Sequence, residues 1–454
     1  MERSLVDIVH SHDLASLHDE DLVRLLYAQF GPEIDHLKRV PHAVEGDESP
    51  SKGNLTNHTL SPSRLLFDED FDEVNRSITN VRALKWVLAN DYDAFVAHQP
   101  PSPIRLSHET FQALKRQADS FLEDTDQLLA LIVALVIGDM GKDPRLSDEI
   151  AARKGQDASV NYEKENANEN HDELLADAVA CGILDGPLSQ LSDARRADVV
   201  LGVNVGATLN IPQLTQGENV PASLQPILKF RGHPEAFNLK FLEIIFDVAG
   251  AGGHLDSCGA KRMIEPVCQS FLQAGPILKS IITDNVSLHE AYDHVLRNRG
   301  QLVVEQGFPV LSTGVPAERA LLRLFAMGRV AERSVAENFQ EAFCGLSEST
   351  REALVQGLNV DGVDDGQAVL LYYIPALFAE TGRAMRDAST EEHIVALRCV
   401  MDFMARTYGG SISCPGQEGS IVERNVSPVV EFVRDPAFRN DPHILDEYTL
   451  PEES

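Results

Sequence analysis

Eight polar residues stand at helix ends or on apolar faces, where their types invite chemistry: His108, Asp139, Lys142, His171, Asp172, Asp247, His254 and Asp256. Imidazole and carboxylate ligands carried on helices suit iron, manganese or zinc with open coordination positions. His108, Asp139 and His171 fall at near-equal intervals along the chain. Such intervals let separate helices converge on one point, as in metal sites at the cores of helical bundles.

The element that must position them is the apolar run Leu128–Gly138, which leads into Asp139-Met140-Gly141-Lys142. Eleven residues are too few for a bilayer, which needs about 20. The run therefore predicts the buried core helix of a globular domain. A carboxylate and an ammonium at its exit need a partner, a metal or water, because unpaired buried charge is costly. The plain alternative is a helix stop, with Gly138 and Gly141 ending the helix and Lys142 complementing its dipole.

Around that run the periodicity is helical. Ser107 predicts an N-cap for 107–123, where Phe111, Leu114, Ala118, Phe121 and Leu122 share a face. His108, three before Phe111, is expected on that same inward face. Residues 145–169 read as a long polar loop, with Asn170 capping a helix 172–183. Asp172 and Glu173 suit its first turn whether or not His171 is a ligand. Asp247 lies at the margin of the stripe Phe237, Phe241, Ile244, Ile245, Val248. From about Met263 helix follows helix (321–343, 351–358, 367–378, 391–408), and Leu370–Leu377 reads as a Pro-kinked buried helix. The expectation is an all-α protein. An N-terminal helical segment (1–40) and a linker (41–73) precede a helical domain (74–285). A C-terminal helical domain (286–433) and a poorly ordered acidic tail (434–454) follow.

Composition narrows the function classes. The 454 residues hold 39 Lys+Arg against 70 Asp+Glu, a net charge of −31. That field disfavours nucleic acid and anionic membrane as partners, and leaves a small anionic substrate only where a local cation or metal reverses the sign. The N-terminus shows no apolar signal region, and the six cysteines are scattered without a C-x-x-C pair. Both predict a cytoplasmic protein with reduced thiols and no cysteine-ligated structural zinc. Nothing in the text excludes a homodimer. Gly250–Gly253 fails the dinucleotide pattern at Leu255 and lacks a βαβ setting. A calcium loop from Asp361 fails at Val363 and Tyr372, leaving an acidic turn.

At Ala134-Leu-Val-Ile-Gly-Asp-Met-Gly-Lys142 the chain resembles the HD-domain metalloproteins, whose pattern there is apolar, His-Asp, any residue, Gly-Lys. His108, in Ser107-His-Glu-Thr-Phe, looks like the upstream His of that superfamily. Asn170-His-Asp-Glu-Leu-Leu175 is similar to the Gly-His-Asp-Glu segment of myo-inositol oxygenase, its di-iron branch. The resemblance covers roughly residues 75–285 and implies an HD-like helical bundle. It also implies a divalent metal (iron, manganese or zinc) held by His108, Asp139, His171 and either Asp247 or Asp256. Lys142 and Asp172 would then face a small polar or phosphorylated substrate, with hydrolysis or iron-dependent oxidation as the reaction. Two departures stand out: the His of the His-Asp pair is Gly138, and Val200–Gly206 lacks the further histidine of the oxygenase branch. They keep open a second expectation, an inactive HD-derived scaffold that binds a metabolite or protein.

Overall fold

A capping box at Asp124 and Gln127 starts a helix of thirteen residues, Thr125–Ile137, and ten of them are buried. Removing each large aliphatic side chain from water contributes roughly 1.5–3 kcal/mol, so this stretch becomes the centre around which amphipathic neighbours pack. The computed structural model describes residues 3–42, 60–155, 171–411 and 421–450. The predicted Asn170 cap and most of the 41–73 linker lie outside them.

The chain forms two compact units, residues 1–209 with 229–275 and residues 210–228 with 276–454. Regular structure among the described residues is helical apart from two five-residue strands. The fold is mainly all-α. No helix among them is long and apolar enough to cross a membrane.

In the first unit the longer helices are α1 (Asp19–Leu37), α2 (Asp72–Leu88), α3 (His108–Phe121), α4 (Thr125–Ile137), α5 (His171–Ala180), α6 (Asp193–Gly206) and α7 (Pro234–Gly250). Helix α8 (Glu265–Thr283) contributes its first part, up to Gly275. Helices α2, α4 and α7 pack on one another. Gly250 lets α7 approach α2, since a Cβ there would collide with the Asn80 side chain and backbone. The N-terminal segment is part of this unit, not separate. Asp19 accepts hydrogen bonds from Arg82, Lys85 and the Trp86 indole, joining α1 to α2.

The second unit holds α9 (Leu288–Val304), α10 (Pro316–Met327), α11 (Arg333–Cys344), α12 (Glu348–Asn359), β1 (Ala368–Tyr372), α13 (Ile374–Ala384), α14 (Thr390–Ser411), β2 (Ile421–Asn425) and α15 (Ser427–Arg434). Strands β1 and β2 pair in parallel, Ala368 opposite Ile421 through Tyr372 opposite Asn425. The buried Arg323 donates to the carbonyl oxygens of Gly217, Glu218, Asn219 and Leu358, and so ties segment 210–228 to α10 and α12.

Several segments depart from the sequence expectation, among them 321–343, which forms two helices, α10 and α11. Leu370–Leu377 is not one kinked helix. Leu370, Leu371 and Tyr372 belong to β1, Tyr373 turns the chain at φ +80°, and Pro375 enters the first turn of α13. A proline lacks the donor an interior turn needs and suits a helix start. Within the loop read over 145–169, Leu146–Lys154 is a helix anchored by Leu146 and Ile150. The acidic tail is packed as far as residue 450: Phe438 and Leu445 are buried, and Arg406 donates to the carbonyls of Leu445 and Tyr448. The acidic turn after α12 is as expected, with Asp365 accepting from the amides of Asp361 and Gly362.

Candidate functional site

Asp139 follows α4 because Gly138 keeps helical dihedrals (φ −53°, ψ −39°) and the chain then tightens into a single 3-10 turn, Met140–Lys142. That turn returns the Lys142 ammonium to 2.6 Å from Asp139 Oδ1. The same ammonium donates to Glu73 Oε2 at 3.3 Å. Gly141 permits this because a Cβ there would collide with the backbone of His171, so α5 begins directly against the turn. Asp143 locks the turn from behind, accepting from Arg39 Nε at 2.8 Å and meeting His36 Nδ1 at 2.7 Å.

Helix α2 supplies the opposite wall. Glu73, Arg76 and Asn80 recur at helical spacing and share a face. Arg76 bonds Glu73 and donates from Nε to His254 Nδ1 at 2.9 Å. Asn80 Nδ2 donates to Asp247 Oδ1 at 3.1 Å, which brings α7 into the cluster. One turn earlier on α7, Lys240 Nζ lies 2.9 Å from Glu243 Oε1. His171 and Asp172, from α5, are half-exposed at the rim, 3.6 Å apart. The Asp247 side chain reaches solvent, with Asp139, Lys142, Glu243 and Asn80 beside it.

Acid groups crowd one another here. Burial, and then the neighbouring Asp139, push the Asp247 carboxyl up to about 7. Burial raises Glu73 too, again with Asp139 adding to it, and it raises Glu243 against the pull of Lys240. Asp139 goes the other way: burial opposes its charge, but Lys142 overrides this and holds the carboxyl below its usual range. Burial likewise opposes the Lys142 charge, and Asp139 with Glu73 more than restores it. The cluster is thus an ionised Lys142–Asp139 pair flanked by carboxyls driven towards protonation.

The candidates from the sequence divide. Asp139, Lys142, His171, Asp172, Asp247 and His254 come together around this cluster. His108 does not: Ser107 caps α3 and leaves His108 as its exposed first residue, its ring 5.1 Å from that of Tyr92. The three-residue step to Phe111 indicated the inward face, but at a helix start no preceding turn covers the side chain. Asp256 is also engaged elsewhere, with His98 at 2.6 Å and Lys261 at 2.9 Å. Glu73, Arg76, Asn80, Lys240 and Glu243 were not foreseen. The α2 residues carried little signal, because 73, 76 and 80 stand among Asp72, Asn75, Ser77, Thr79, Arg82 and Lys85 and resemble an ordinary solvated face.

A divalent metal of the HD kind fits this set poorly. Position 138 offers no imidazole, His108 faces solvent, and an ammonium already bridges two of the carboxylates. Among the described residues three groups bring potential ligand atoms within 4.8 Å of one another: His98–Asp256–Cys258, Cys399–His443–Asp446 and His36–Asp143–Glu149. None includes Asp139, His171 or Asp247.

Fold and site together define the class: an all-α protein of two helical units, the first holding a cluster of paired charges. The chain belongs to the family of unknown function DUF6829, whose model matches residues 23–445 and so takes in most of both units. No curated protein and no solved structure matches it.

Proposed function

We propose that the chain is an HD-like helical scaffold that binds a small polar metabolite at the charge cluster of its first unit, without HD-type metal catalysis. One observation carries this reading: the Lys142 ammonium lies between Asp139 and Glu73, at 2.6 and 3.3 Å, where a metal-dependent relative would need a cation. A fixed ammonium supplies positive charge but no open coordination position and no activated water. Arg76, His171 and His254 at the rim, with Lys142, offer donors for carboxylate or hydroxyl groups against a strongly acidic background.

A second reading, a metal-dependent hydrolase or oxygenase, draws support from the raised carboxyls of Glu73, Glu243 and Asp247, a surplus of acid that a divalent ion would neutralise. Elemental mass spectrometry on purified, untagged protein separates the two. The wild type is compared with Asp139→Asn, His171→Ala and Asp247→Asn after incubation with iron(II), manganese(II) or zinc(II). The scaffold reading expects the same metal content in all four proteins. Near-stoichiometric metal in the wild type that disappears in all three variants would overturn it and favour the enzyme.

A further inference from the structure

The loop between α7 and α8 brings two ligand types beside a histidine from the loop after the short helix Tyr92–Phe95. His98, Asp256 and Cys258 each present one ligand atom, all within 4.8 Å of one another. We infer that these three residues form a zinc site, separate in its residues from the Lys142 cluster and independent of the function proposed for it.

The donor set is the first argument. One thiolate, one imidazole and one carboxylate are ligands that zinc takes at about 2.0–2.3 Å, leaving a fourth position for water or a substrate. His98 Nδ1 is now 2.6 Å from Asp256 Oδ2, and the two need to spread only to roughly 3.3 Å to share a tetrahedral ion. On binding, the Cys258 thiol proton passes to solvent. The imidazole binds through Nδ1 as the neutral ring, with its proton on Nε2.

The second argument is that the protein builds this geometry through contacts outside the triplet. Ala260 N donates to the Phe95 carbonyl at 2.8 Å. Gln99 Nε2 donates to the carbonyls of Ala260 and Met263 at 2.7 and 3.2 Å. Arg82 Nη1 donates to the Ser257 carbonyl at 3.1 Å. The two loops are thus joined on both sides of His98, and Arg82 ties the second loop to α2 between its two ligands. Asp256 is further oriented by accepting from the Cys258 amide at 2.9 Å, while the partly exposed Lys261, 2.9 Å from the oxygen that His98 meets, has to swing aside for the ion. Outer hydrogen bonds of this kind fix ligating carboxylates in metal sites. His98 is exposed while Asp256 and Cys258 are half-buried, so an ion has a way in.

The other two groups are worse suited. Burial, followed by the nearby Asp446, pushes the Cys399 thiol up to about 12, against the thiolate a metal needs. The third group offers no thiolate, and its Asp143 side chain is wholly buried beneath Arg39 and His36, which leaves an ion no way in.

Cobalt(II) replaces zinc with a colour that reports its ligands. Titration of untagged, metal-stripped protein with cobalt should reach one equivalent and give a thiolate-to-cobalt absorption band that zinc then abolishes. Cys258→Ala should lose the band and Cys399→Ala should keep it. His98→Ala, altered at an exposed side chain and with unchanged far-ultraviolet circular dichroism, should bind cobalt at least tenfold more weakly. No band in the wild type, a band that survives Cys258→Ala, or undiminished cobalt affinity in His98→Ala would overturn the assignment.

Discussion

Replacing Lys142 with methionine keeps most of the side-chain volume and removes only the ammonium that Asp139 and Glu73 share. The side chain is 26 % exposed and that of Asp139 9 %, so the pair is largely withdrawn from water. Removing one partner of a buried pair typically costs 3–5 kcal/mol, because the other charge is left uncompensated. Lys142 keeps some contact with solvent, and Glu73 and Asp247 are already inclined to hold protons, so the expected loss at pH 7 is nearer ~2–3 kcal/mol. The pH dependence supplies a sharper criterion. In the wild type Asp139 sits below its unfolded pKa, so it adds stability that is present above that pKa and is lost as pH falls through the folded value. Without Lys142 burial dominates, the Asp139 carboxyl moves above its unfolded pKa, and the folded state binds the extra proton. The variant should therefore recover relative to wild type between pH 8 and pH 5. Trp86 is the single tryptophan and is buried in α2 of the same unit, so its fluorescence during urea unfolding follows this unit. A loss below 1 kcal/mol at pH 7, or a difference that stays constant from pH 8 to pH 5, would refute the reasoning.

Two further outcomes follow from the charges. Asp247, raised from 3.8 to about 7, opposes folding above that range, and the penalty fades as pH falls towards 3.8. Asp247→Asn should therefore raise the urea midpoint at pH 8 and barely change it at pH 4, and a lower midpoint at pH 8 would contradict the assigned acid surplus. Arg323→Met should destabilise the second unit by roughly 3–5 kcal/mol, since carbonyls it satisfies would be left buried without a donor. Amide exchange in residues 210–228 should accelerate most, and unchanged protection there would count against the tie.

Helix content was legible because its causes are local. Ser107 caps α3 as its position before the apolar face indicates, and the run ending at Gly138 could only be a buried helix. Asp139, Lys142 and His171 were legible as a group because each stands at the end of a helix that the apolar pattern itself delimits. Which face of a helix other elements cover is not a local property. His108 has the right spacing for the inward face of α3 and is exposed, whereas Glu73 and Asn80 look like surface residues and are enclosed. Likewise, only pairing with β2, some fifty residues on, makes Ala368–Tyr372 a strand, and only Arg323 draws residues 210–228 into the second unit. Periodicity and caps alone determined the helices and the central apolar run. Tertiary packing decided which charges meet, because burial and pairing depend on neighbours far away in the chain, and those neighbours place an ammonium between two carboxylates.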